Sequence, residues 1–326
     1  MIKYGIIGPG EIARKFATDI QLAEDSTLVA IASRSLEKAQ AFADDFDVKL
    51  VFDSYEEMVK SKEVDAVYVA TPHTFHKEHS ILAMRNGKHV ICEKPISINS
   101  EELEEMIQVA KEEKVLLMEA MWTRFLPSTI HVKKLIESGK FGVVQHVDLA
   151  FGFELAENYP EKGRLLNPDL AGGSILDVGI YPVSTMLYLL DKKVEKIEVI
   201  TDLSFLGVDL DTIVEVHFDD NTTATLHSSI SQDLDDTGSI YFPNDEIHMI
   251  KFYHCRELHI NKEKITTPCL GDGFVDQIEA FTQTVQSGKL ENDIMSFDEM
   301  RKVIKILDLI RKEAKIVYPN EKKESV

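Results

Sequence analysis

The 326-residue chain is short of cysteine, tryptophan and positive charge. Its three cysteines, Cys92, Cys255 and Cys269, lack metal-ligand spacing and are odd in number, which argues against a disulfide framework and favours a reducing compartment. Only 36 basic side chains stand against 56 acidic ones, a net charge of −20. Nucleic acids and anionic membranes bind basic surfaces, so neither is an expected partner.

Long hydrophobic runs are also missing from the sequence. No uninterrupted apolar segment reaches the roughly 20 residues that span a bilayer, and the first residues read as a strand rather than a signal peptide. These absences predict a cytoplasmic protein without a membrane partner. An apolar content of 44% and a length of 326 residues are typical of a globular protein with two domains.

The first 120 residues alternate between strand-like and helix-like segments. This alternation predicts βαβ units and a mostly parallel sheet with helices on both faces, a doubly wound α/β fold. The predicted strands are 2–7, 28–32, 50–52, 66–70, 89–92 and 115–118, and the predicted helices are 11–22, 36–46, 54–61, 75–86 and 100–113.

The pattern changes after residue 120, where strands follow one another without helices between them. Such a succession predicts an open, mostly antiparallel sheet, here flanked by helices. The predicted strands are 143–153, 194–201, 211–218, 222–230, 236–242, 246–253 and 256–260, and the predicted helices are 128–138, 174–190, 273–287 and 296–315. The C-terminal helices can pack back on the first domain. Asp219-Asp220-Asn221 favours a hairpin turn.

A glycine fingerprint, Gly8-x-Gly10-x-x-Ala13, follows the first predicted strand and opens a helix. Gly8 permits the tight turn, Gly10 lets the backbone approach a pyrophosphate, and Ala13 allows close packing of helix and strand. Glu11 and Ile12 form the first turn of the helix, whose N-terminus faces the anion. The strand–turn–helix context therefore predicts a dinucleotide-binding site.

The end of the second predicted strand indicates which dinucleotide binds. A site that prefers NAD usually carries an acidic residue there for the ribose 2′-hydroxyl, whereas this chain has Ser33 and Arg34. A hydroxyl and a guanidinium suit a 2′-phosphate, and Lys38 can add charge one turn later. We therefore expect NADP, with NAD possible.

Two further motifs follow predicted strands of the first domain. Thr71-Pro72-His73-x-x-His76 follows the fourth strand, and Glu93-Lys94-Pro95 follows the fifth. Open α/β folds bind ligands at the carboxyl ends of their strands, and a charged pair after a buried strand is costly unless it faces a cleft or has partners. We expect both motifs to contact the cofactor. No other ligand type joins the two histidines at metal spacing, so no metal is expected.

These motifs, together with Gly172-Gly173-x-x-x-Asp177-x-Gly179-x-Tyr181, resemble the glucose–fructose oxidoreductase/inositol dehydrogenase/MocA (Gfo/Idh/MocA) family in order and spacing. The resemblance covers nearly the whole chain. The stretch Glu119–Phe125 with Pro127 is similar to the branch of dimeric dihydrodiol dehydrogenases and D-xylose dehydrogenases, which uses NADP. The resemblance implies a Rossmann domain at 1–120 and a substrate-binding and oligomerisation domain at 121–326.

The resemblance also implies roles for individual residues. Lys94 is expected near the nicotinamide and the reacting carbon, with a Lys94–Pro95 peptide that is often cis in the family. Tyr181 is the expected acid–base group, and Lys94 can stabilise negative charge on the substrate oxygen. The two residues are expected to meet over the nicotinamide, between the domains. Asp177 shares one helix face with Tyr181, and both a catalytic and a structural role remain open for it.

One departure from the family affects the substrate. Inositol dehydrogenases carry Asp-x-Gly-x-His-x-x-Asp, and this chain has Tyr181 and Ser184 at the last two named positions, which puts inositol in doubt. Aromatic walls suit a sugar ring or an apolar diol, and arginines suit hydroxyls or a carboxylate. The expected substrate-side residues are His76, Trp122, Arg124, Phe125, Phe153 and Arg164. A structural role for Trp122 and Phe125 is an equal alternative.

The sequence thus predicts an NADP(H)-dependent oxidoreductase that acts on a secondary alcohol or hemiacetal of a sugar or cyclic diol. The alternatives are an NAD-dependent sugar or biliverdin-like reductase and a non-catalytic NADP-binding regulator, since a fold does not fix a function. Apolar positions such as Ile197, Val199, Val214 and Val216 alternate with polar ones, so the chain covers at most one face of the sheet. We expect the other face to form a homodimer.

Overall fold

The computed structural model describes residues 1–156, 158–160 and 163–321. The chain divides into two compact units, and each is formed by two separate segments of the chain. The first unit comprises Met1–Phe125 and Cys269–Arg301, and the second comprises Leu126–Pro268 and Lys302–Val326. The functional roles assigned to 1–120 and 121–326 stay predictions.

The first unit contains the expected parallel sheet of six strands, in the order β3-β2-β1-β4-β5-β6. The strands are β1 (Ile2–Ile7), β2 (Ser26–Ala32), β3 (Leu50–Phe52), β4 (Ala66–Val69), β5 (His89–Glu93) and β6 (Leu117–Ala120). The helices between them are α1 (Glu11–Asp19), α2 (Leu36–Phe46), α3 (Tyr55–Lys60), α4 (His76–Arg85) and α5 (Ser100–Glu113). All residues of β4 and β6 are buried, as expected for strands covered on both faces.

Local sequence explains where these helices begin. The side chains of Ser35, Ser54 and Asn99 accept backbone N–H groups in the first turns of α2, α3 and α5. Such caps satisfy donors that a helix leaves unpaired at its start. Helix α1 differs, because Gly10 at its N-cap provides no side-chain acceptor. Its first N–H groups therefore have no side-chain cap and are open to an anion.

The second unit is built on a sheet of eight strands, in the order β14-β13-β12-β11-β7-β10-β9-β8. Helix α6 (Pro127–Glu137) comes first, then β7 (His146–Gly152), and a π-helical turn (Ile175–Gly179) that continues into α7 (Ile180–Leu190). The remaining strands are β8 (Val194–Leu203), β9 (Asp209–Phe218), β10 (Thr223–Ser229), β11 (Gly238–Tyr241), β12 (Glu246–Ile250), β13 (Glu257–Ile260) and β14 (Glu263–Thr266). The prediction of a mostly antiparallel sheet is confirmed, and only β7 and β10 pair in parallel.

The two faces of this sheet differ in burial. On β9, Val214 and Val216 are buried and lie on the face that packs against α7, whereas Ile213 and Glu215 point to the opposite, open face. Every residue of α7 is buried. The sequence suggested no segment apolar enough to span a membrane, yet Pro168–Leu190 has that length and composition. Its apolar window is completely buried within the protein, as in the core helix of a globular fold.

The last two helices complete the two units. Helix α8 (Val275–Gln286) belongs to the first unit, where the hydroxyls of Tyr4 and Thr282 lie 2.7 Å apart. The division between the units falls within α9 (Phe297–Glu313), after Arg301. The hydroxyl of Ser296 accepts the N–H of Glu299 at the start of α9 and so satisfies one of the donors that a helix leaves unpaired there.

Candidate active site

The predicted cofactor residues of the first unit, and the predicted substrate residue Trp122, share one edge of its sheet. Gly8 follows β1, Ser33 follows β2, Thr71 follows β4, Lys94 follows β5, and Trp122 follows β6. The strands are parallel, so their carboxyl ends lie at the same edge. The strand order reverses between β1 and β4, where open α/β sheets bind their ligands.

The glycine loop after β1 has the shape that a dinucleotide needs. Gly8 has φ +97°, and a Cβ there would lie 3.0 Å from the carbonyl oxygen of Ala70 in the loop after β4. A side chain would therefore be strained and crowded at this position. Gly10 and Glu11 are exposed and Ile12 is half-buried at the start of α1. The loop thus fits a pyrophosphate against uncapped N–H groups.

The loop after β2 presents positive charge. Ser33 is buried, and its hydroxyl oxygen accepts the N–H of Ser35 over 3.2 Å. Arg34 and Lys38 are both exposed beside this turn. The loop therefore offers cations to a ligand phosphate, as the sequence predicts, and Ser33 shapes the turn.

His76 joins the loops that follow β4 and β5. Its Nδ1 lies 2.8 Å from the carbonyl oxygen of Pro95, and its Nε2 lies 2.7 Å from that of Thr71. Burial lowers the pKa of the ring from 6.5 to about 4, so it is neutral at pH 7 and donates to one carbonyl at a time. Both nitrogens face backbone, which argues against the predicted substrate contact and favours a link between two loops. His73 is also buried, and Pro72 precedes it half-exposed.

The charged pair after β5 has partners, as burial requires. The Glu93 carboxylate is 6% exposed and accepts both the hydroxyl of Tyr68 and, over 3.2 Å, the N–H of Lys94. Lys94 itself is half-buried. The Lys94–Pro95 peptide is cis, as the resemblance implied.

The aromatic and basic residues after β6 are more deeply buried than expected of substrate-lining groups. The Trp122 ring stacks on Phe274 with centroids 4.8 Å apart, and Phe125 is 2% exposed. Arg124 is completely buried, and its guanidinium donates to the carboxylate of Glu299 over 2.6 Å. A buried, paired arginine of this kind favours a structural role over the predicted contact with substrate.

Sequence reasoning gave no role to Glu119 on β6. This carboxyl is completely buried, and its Oε1 accepts the N–H of Ile96 over 2.9 Å. Burial raises its pKa from 4.5 to about 7. The available signal was one acidic residue inside the otherwise apolar stretch 115–121.

In the second unit, Asp177 and Tyr181 lie at the start of the buried helix. Asp177 is in the π-helical turn and accepts a hydrogen bond from Arg164 over 2.9 Å, which forms an ion pair. The Tyr181 ring makes edge contacts with Phe151 and Tyr253, with centroids 5.3 Å and 6.1 Å apart. Arg164 therefore has a partner within the protein, and Tyr253 is a neighbour of Tyr181 that the sequence did not indicate.

Phe153 lies just past the end of β7, near the same region. It packs against a buried apolar cluster of Leu165, Val178 and Ile230. Val178 belongs to the π-helical turn that also carries Asp177. Phe153 thus supports the segment that holds the candidate residues, and a contact with substrate stays a prediction.

A buried carboxylate fixes the entry to this helix. Asp209 on β9 accepts the hydroxyl of Ser174 over 2.8 Å and the N–H of Ile175 over 2.5 Å. Gly173 has φ +119°, and a Cβ there would lie 2.1 Å from Oδ1 of Asp209. Burial raises the pKa of Asp209. The Gly172-Gly173 pair is evident in the sequence. The sequence does not show that Asp209 lies against Gly173 and excludes a side chain there.

No group of three or more His, Cys, Asp or Glu side chains is placed to bind a metal in the part of the chain that the structure describes.

Comparisons with known proteins agree with the fold. Residues 2–121 match the family model for the oxidoreductase family with an NAD-binding Rossmann fold, and residues 129–244 match the Gfo/Idh/MocA C-terminal domain. The chain is 33% identical to scyllo-inositol 2-dehydrogenase (NADP(+)) of Bacillus subtilis, over 98% of this chain and 99% of the relative. It is 30% identical to trans-1,2-dihydrobenzene-1,2-diol dehydrogenase of Mus musculus, over 99% of each chain.

A solved structure extends the likeness of fold. The aldose–aldose oxidoreductase of Caulobacter crescentus, complexed with glycerol, superposes with a TM-score of 0.87 at 24% identity, over 96% of this chain and 97% of that chain. The two family models together match most of the chain, and both relatives are matched over nearly their whole length. The chain belongs to the Gfo/Idh/MocA family of NAD(P)-binding oxidoreductases.

Proposed function

We propose that this protein is an NADP(H)-dependent dehydrogenase that transfers a hydride between the nicotinamide and a secondary alcohol or hemiacetal of a sugar or cyclic diol. One observation carries the proposal. The glycine loop, the Ser33-Arg34 turn and Lys94 all lie at the carboxyl edge of one parallel sheet. A cofactor site and a cation suited to an oxyanion are therefore on one edge.

The residues present can hold the cofactor. Gly8 and Gly10 leave room for the pyrophosphate at the start of α1, and Arg34 offers its guanidinium to a 2′-phosphate. When bound, NADP(H) supplies or accepts the hydride, which the protein's own groups cannot do. The B. subtilis relative is named for NADP(+), which supports this choice over NAD.

The chain's own groups handle the proton and the developing charge. Tyr181 is proposed to take the proton from the substrate hydroxyl during oxidation and to return it during reduction. Lys94 is proposed to stabilise negative charge on the same oxygen. Asp177 is proposed to have an orienting role: its ion pair with Arg164 holds the helical turn that precedes Tyr181. Lys94 belongs to the first unit and Tyr181 to the second.

The substrate is proposed to be a ring that carries adjacent hydroxyls. Phe151 and Tyr253 stack with centroids 4.0 Å apart beside Tyr181, so an aromatic surface adjoins the proposed acid–base group. Such a surface suits the face of a sugar, cyclitol or diol ring. The relatives are named for an inositol and for a cyclic diol. A relative named for scyllo-inositol also returns an inositol to the candidates, despite the departures at Tyr181 and Ser184.

Two further proposals concern the cellular location of the protein and its oligomeric state. We propose a cytoplasmic location, from the low cysteine content and the acidic charge. A homodimer through the open face of the second unit's sheet is also proposed, because no element of the described chain packs across that face as α7 packs across the other. Both are independent of the identity of the substrate.

A substrate screen tests the proposed function. Purified protein is incubated with NADP⁺ or NAD⁺ and with inositols, aldoses or trans-dihydrodiols, and NADPH formation is followed by its absorbance. We expect turnover of at least one cyclic polyol with NADP⁺, and its loss in Lys94→Ala. Tight NADPH binding without turnover of any candidate in either direction would favour the non-catalytic regulator.

A further inference from the structure

Glu119 is a buried carboxyl that the proposed mechanism does not use. It lies on β6, where it is directly opposite Cys92 of β5. Its Oε1 accepts the N–H of Ile96, two residues after Lys94. Its Oε2 is buried and has no hydrogen-bond partner among the described residues. One oxygen thus holds the turn that carries Lys94, while the other remains unsatisfied.

Folding alone does not explain this residue. An unsatisfied buried carboxyl oxygen costs stability, and a glutamine at the same place would satisfy the N–H of Ile96 without a charge. The charge therefore needs a partner nearby. Two cations act on Glu119 electrostatically and favour its ionised form: Arg124 from the turn after β6 and Lys94 from the turn after β5. Arg124 also pairs with Glu299, and Lys94 is the one of these two cations that belongs to the candidate site.

The remaining influences on Glu119 disfavour its ionised form. Burial disfavours its charge, and Glu93 on β5 repels it. These opposing influences place the pKa of Glu119 at about 7. Burial raises the pKa of the neighbouring Cys92 thiol well above its usual value of 9.0, so this thiol stays neutral in this range. Glu119 is therefore a buried group beside the Lys94 turn whose charge changes near neutral pH.

We propose that Glu119 is a positioning residue for Lys94: it fixes the turn through Ile96, and in its ionised form it is the buried counter-charge that orients the Lys94 ammonium. The proposal rests on the role of Lys94 in the proposed function. Protonation of Glu119 keeps the hydrogen bond from Ile96 but removes the counter-charge. Activity is then high when Glu119 is ionised and falls as the pH drops through its titration.

The decisive variant is Glu119→Gln, because its amide oxygen can accept from Ile96 while the charge is lost. We expect kcat and kcat/KM at pH 8 to fall together by about 10- to 100-fold, the usual effect of removing an outer partner of a site residue. The inflection near pH 7 in the wild-type kcat profile should disappear. The dissociation constant for NADPH should change by less than about 3-fold, since Glu119 is assigned no contact with the cofactor.

Asp19→Asn is the matched control. Asp19 is also completely buried in the first unit, and it accepts the N–H groups of Asp272 and Phe274. It lies at the end of α1, which begins at the carboxyl edge of the sheet and runs away from it, so it is remote from Lys94. This variant should be less stable but should keep the inflection near pH 7.

Further outcomes separate this inference from the proposed function. Glu119→Asp keeps the charge, and it should retain the inflection with a smaller loss than Glu119→Gln. If Lys94→Ala is inactive while Glu119→Gln keeps both its rate at pH 8 and its inflection, the positioning role is wrong and the proposed function stands. If Lys94→Ala remains fully active, the proposed function is wrong and the role of Glu119 is lost with it.

Discussion

At the scale of single residues, Tyr181 is the most direct test of the chemistry. Tyr181→Phe keeps the ring that contacts Phe151 and Tyr253 but removes the hydroxyl. We expect kcat to fall by about 10²- to 10⁴-fold, the range for loss of an acid–base group. Cofactor affinity and folding should change little, as fluorescence titration and circular dichroism would show.

Tyr188→Phe provides the control, since Tyr188 lies on the same helix, α7, and is also buried. It should keep nearly normal kcat. The Lys94→Ala/Tyr181→Phe double variant should be little worse than either single variant, because groups that act as a unit are not additive. A Tyr181→Phe enzyme that folds, binds NADPH and turns over normally would remove Tyr181 from the mechanism.

Arg34 tests the choice of cofactor. Arg34→Asp replaces the exposed guanidinium after β2 with a carboxylate that repels a 2′-phosphate. NADPH binding should weaken by about 1–3 kcal/mol, the value of charge-assisted hydrogen bonds to a phosphate, while NADH binding is preserved or improved. Titration calorimetry gives both affinities. Arg85→Asp, an exposed arginine at the end of α4, should leave both unchanged, and equal losses for NADH and NADPH would contradict the assignment.

Glu119 also predicts how stability depends on pH. Its pKa in the folded protein is about 7, against 4.5 for the unperturbed group, so the folded state binds more protons between these values. The free energy of unfolding should therefore fall as the pH rises from about 5 to 8, by about 3 kcal/mol from this group. Glu119→Gln should lack this fall. Urea unfolding of both proteins at pH 5 and pH 8 measures it, and parallel pH dependences would refute the shift.

The sequence predicted residues whose role is encoded locally. Gly8, Lys94 and Tyr181 follow from short motifs next to a strand or helix end, and the structure places each where the motif indicates. Glu119 and Asp209 could not be found this way, because each acts on a backbone N–H that the sheet brings near from another segment. The short motifs also could not predict how deeply each of these side chains is buried.

At the scale of elements, the entry to α7 is a tightly constrained junction of the second unit. Gly173 combines a left-handed φ of +119° with a site where Cβ would meet Asp209. Gly173→Ala should lower the free energy of unfolding by more than about 2 kcal/mol, since backbone strain and displacement of a buried carboxylate add. Denaturant unfolding measures the loss.

Gly207→Ala is the matched comparison for this junction. Gly207 also has a positive φ, +85°, but nothing lies within 4 Å of a Cβ built there. Gly207→Ala should lower the free energy of unfolding only by the conformational penalty of about 1–2 kcal/mol. Equal effects of the two substitutions would show that contact with Asp209 is unimportant.

Most elements were predictable because their periodicity is strong. The strands and helices of the first unit lie within a few residues of their predicted bounds, and β4 and β6 are short buried runs that local composition reveals. Strand β14 was missed because it has only four residues, of which two are charged and only Ile265 is apolar. The parallel pairing of β7 with β10 was also missed, since it joins segments separated by more than 70 residues.

At the scale of the whole molecule, the open face of the second unit's sheet is where we propose the contact between the subunits of a homodimer. The predicted alternation is present: Val199 and Val214 pair on the covered face, and Ile200 and Ile213 pair on the open one. Ile200 is 73% exposed and Phe205, in the hairpin turn after β8, is 81% exposed. Exposed apolar groups beside a polar sheet are typical of an interface, and a two-fold dimer would bring two copies together.

Ile200→Arg tests the homodimer without disturbing the fold, because the side chain is mostly exposed in a single chain. In a two-fold interface the substitution occurs twice, and two charges must be desolvated. We expect the protein to become monomeric at micromolar concentration by light scattering, with NADPH binding unchanged. Leu22→Arg, a 52% exposed leucine of the first unit, should remain dimeric. A wild-type monomer would refute the homodimer, and a dimer that persists in Ile200→Arg would place the subunit contact elsewhere than on this face.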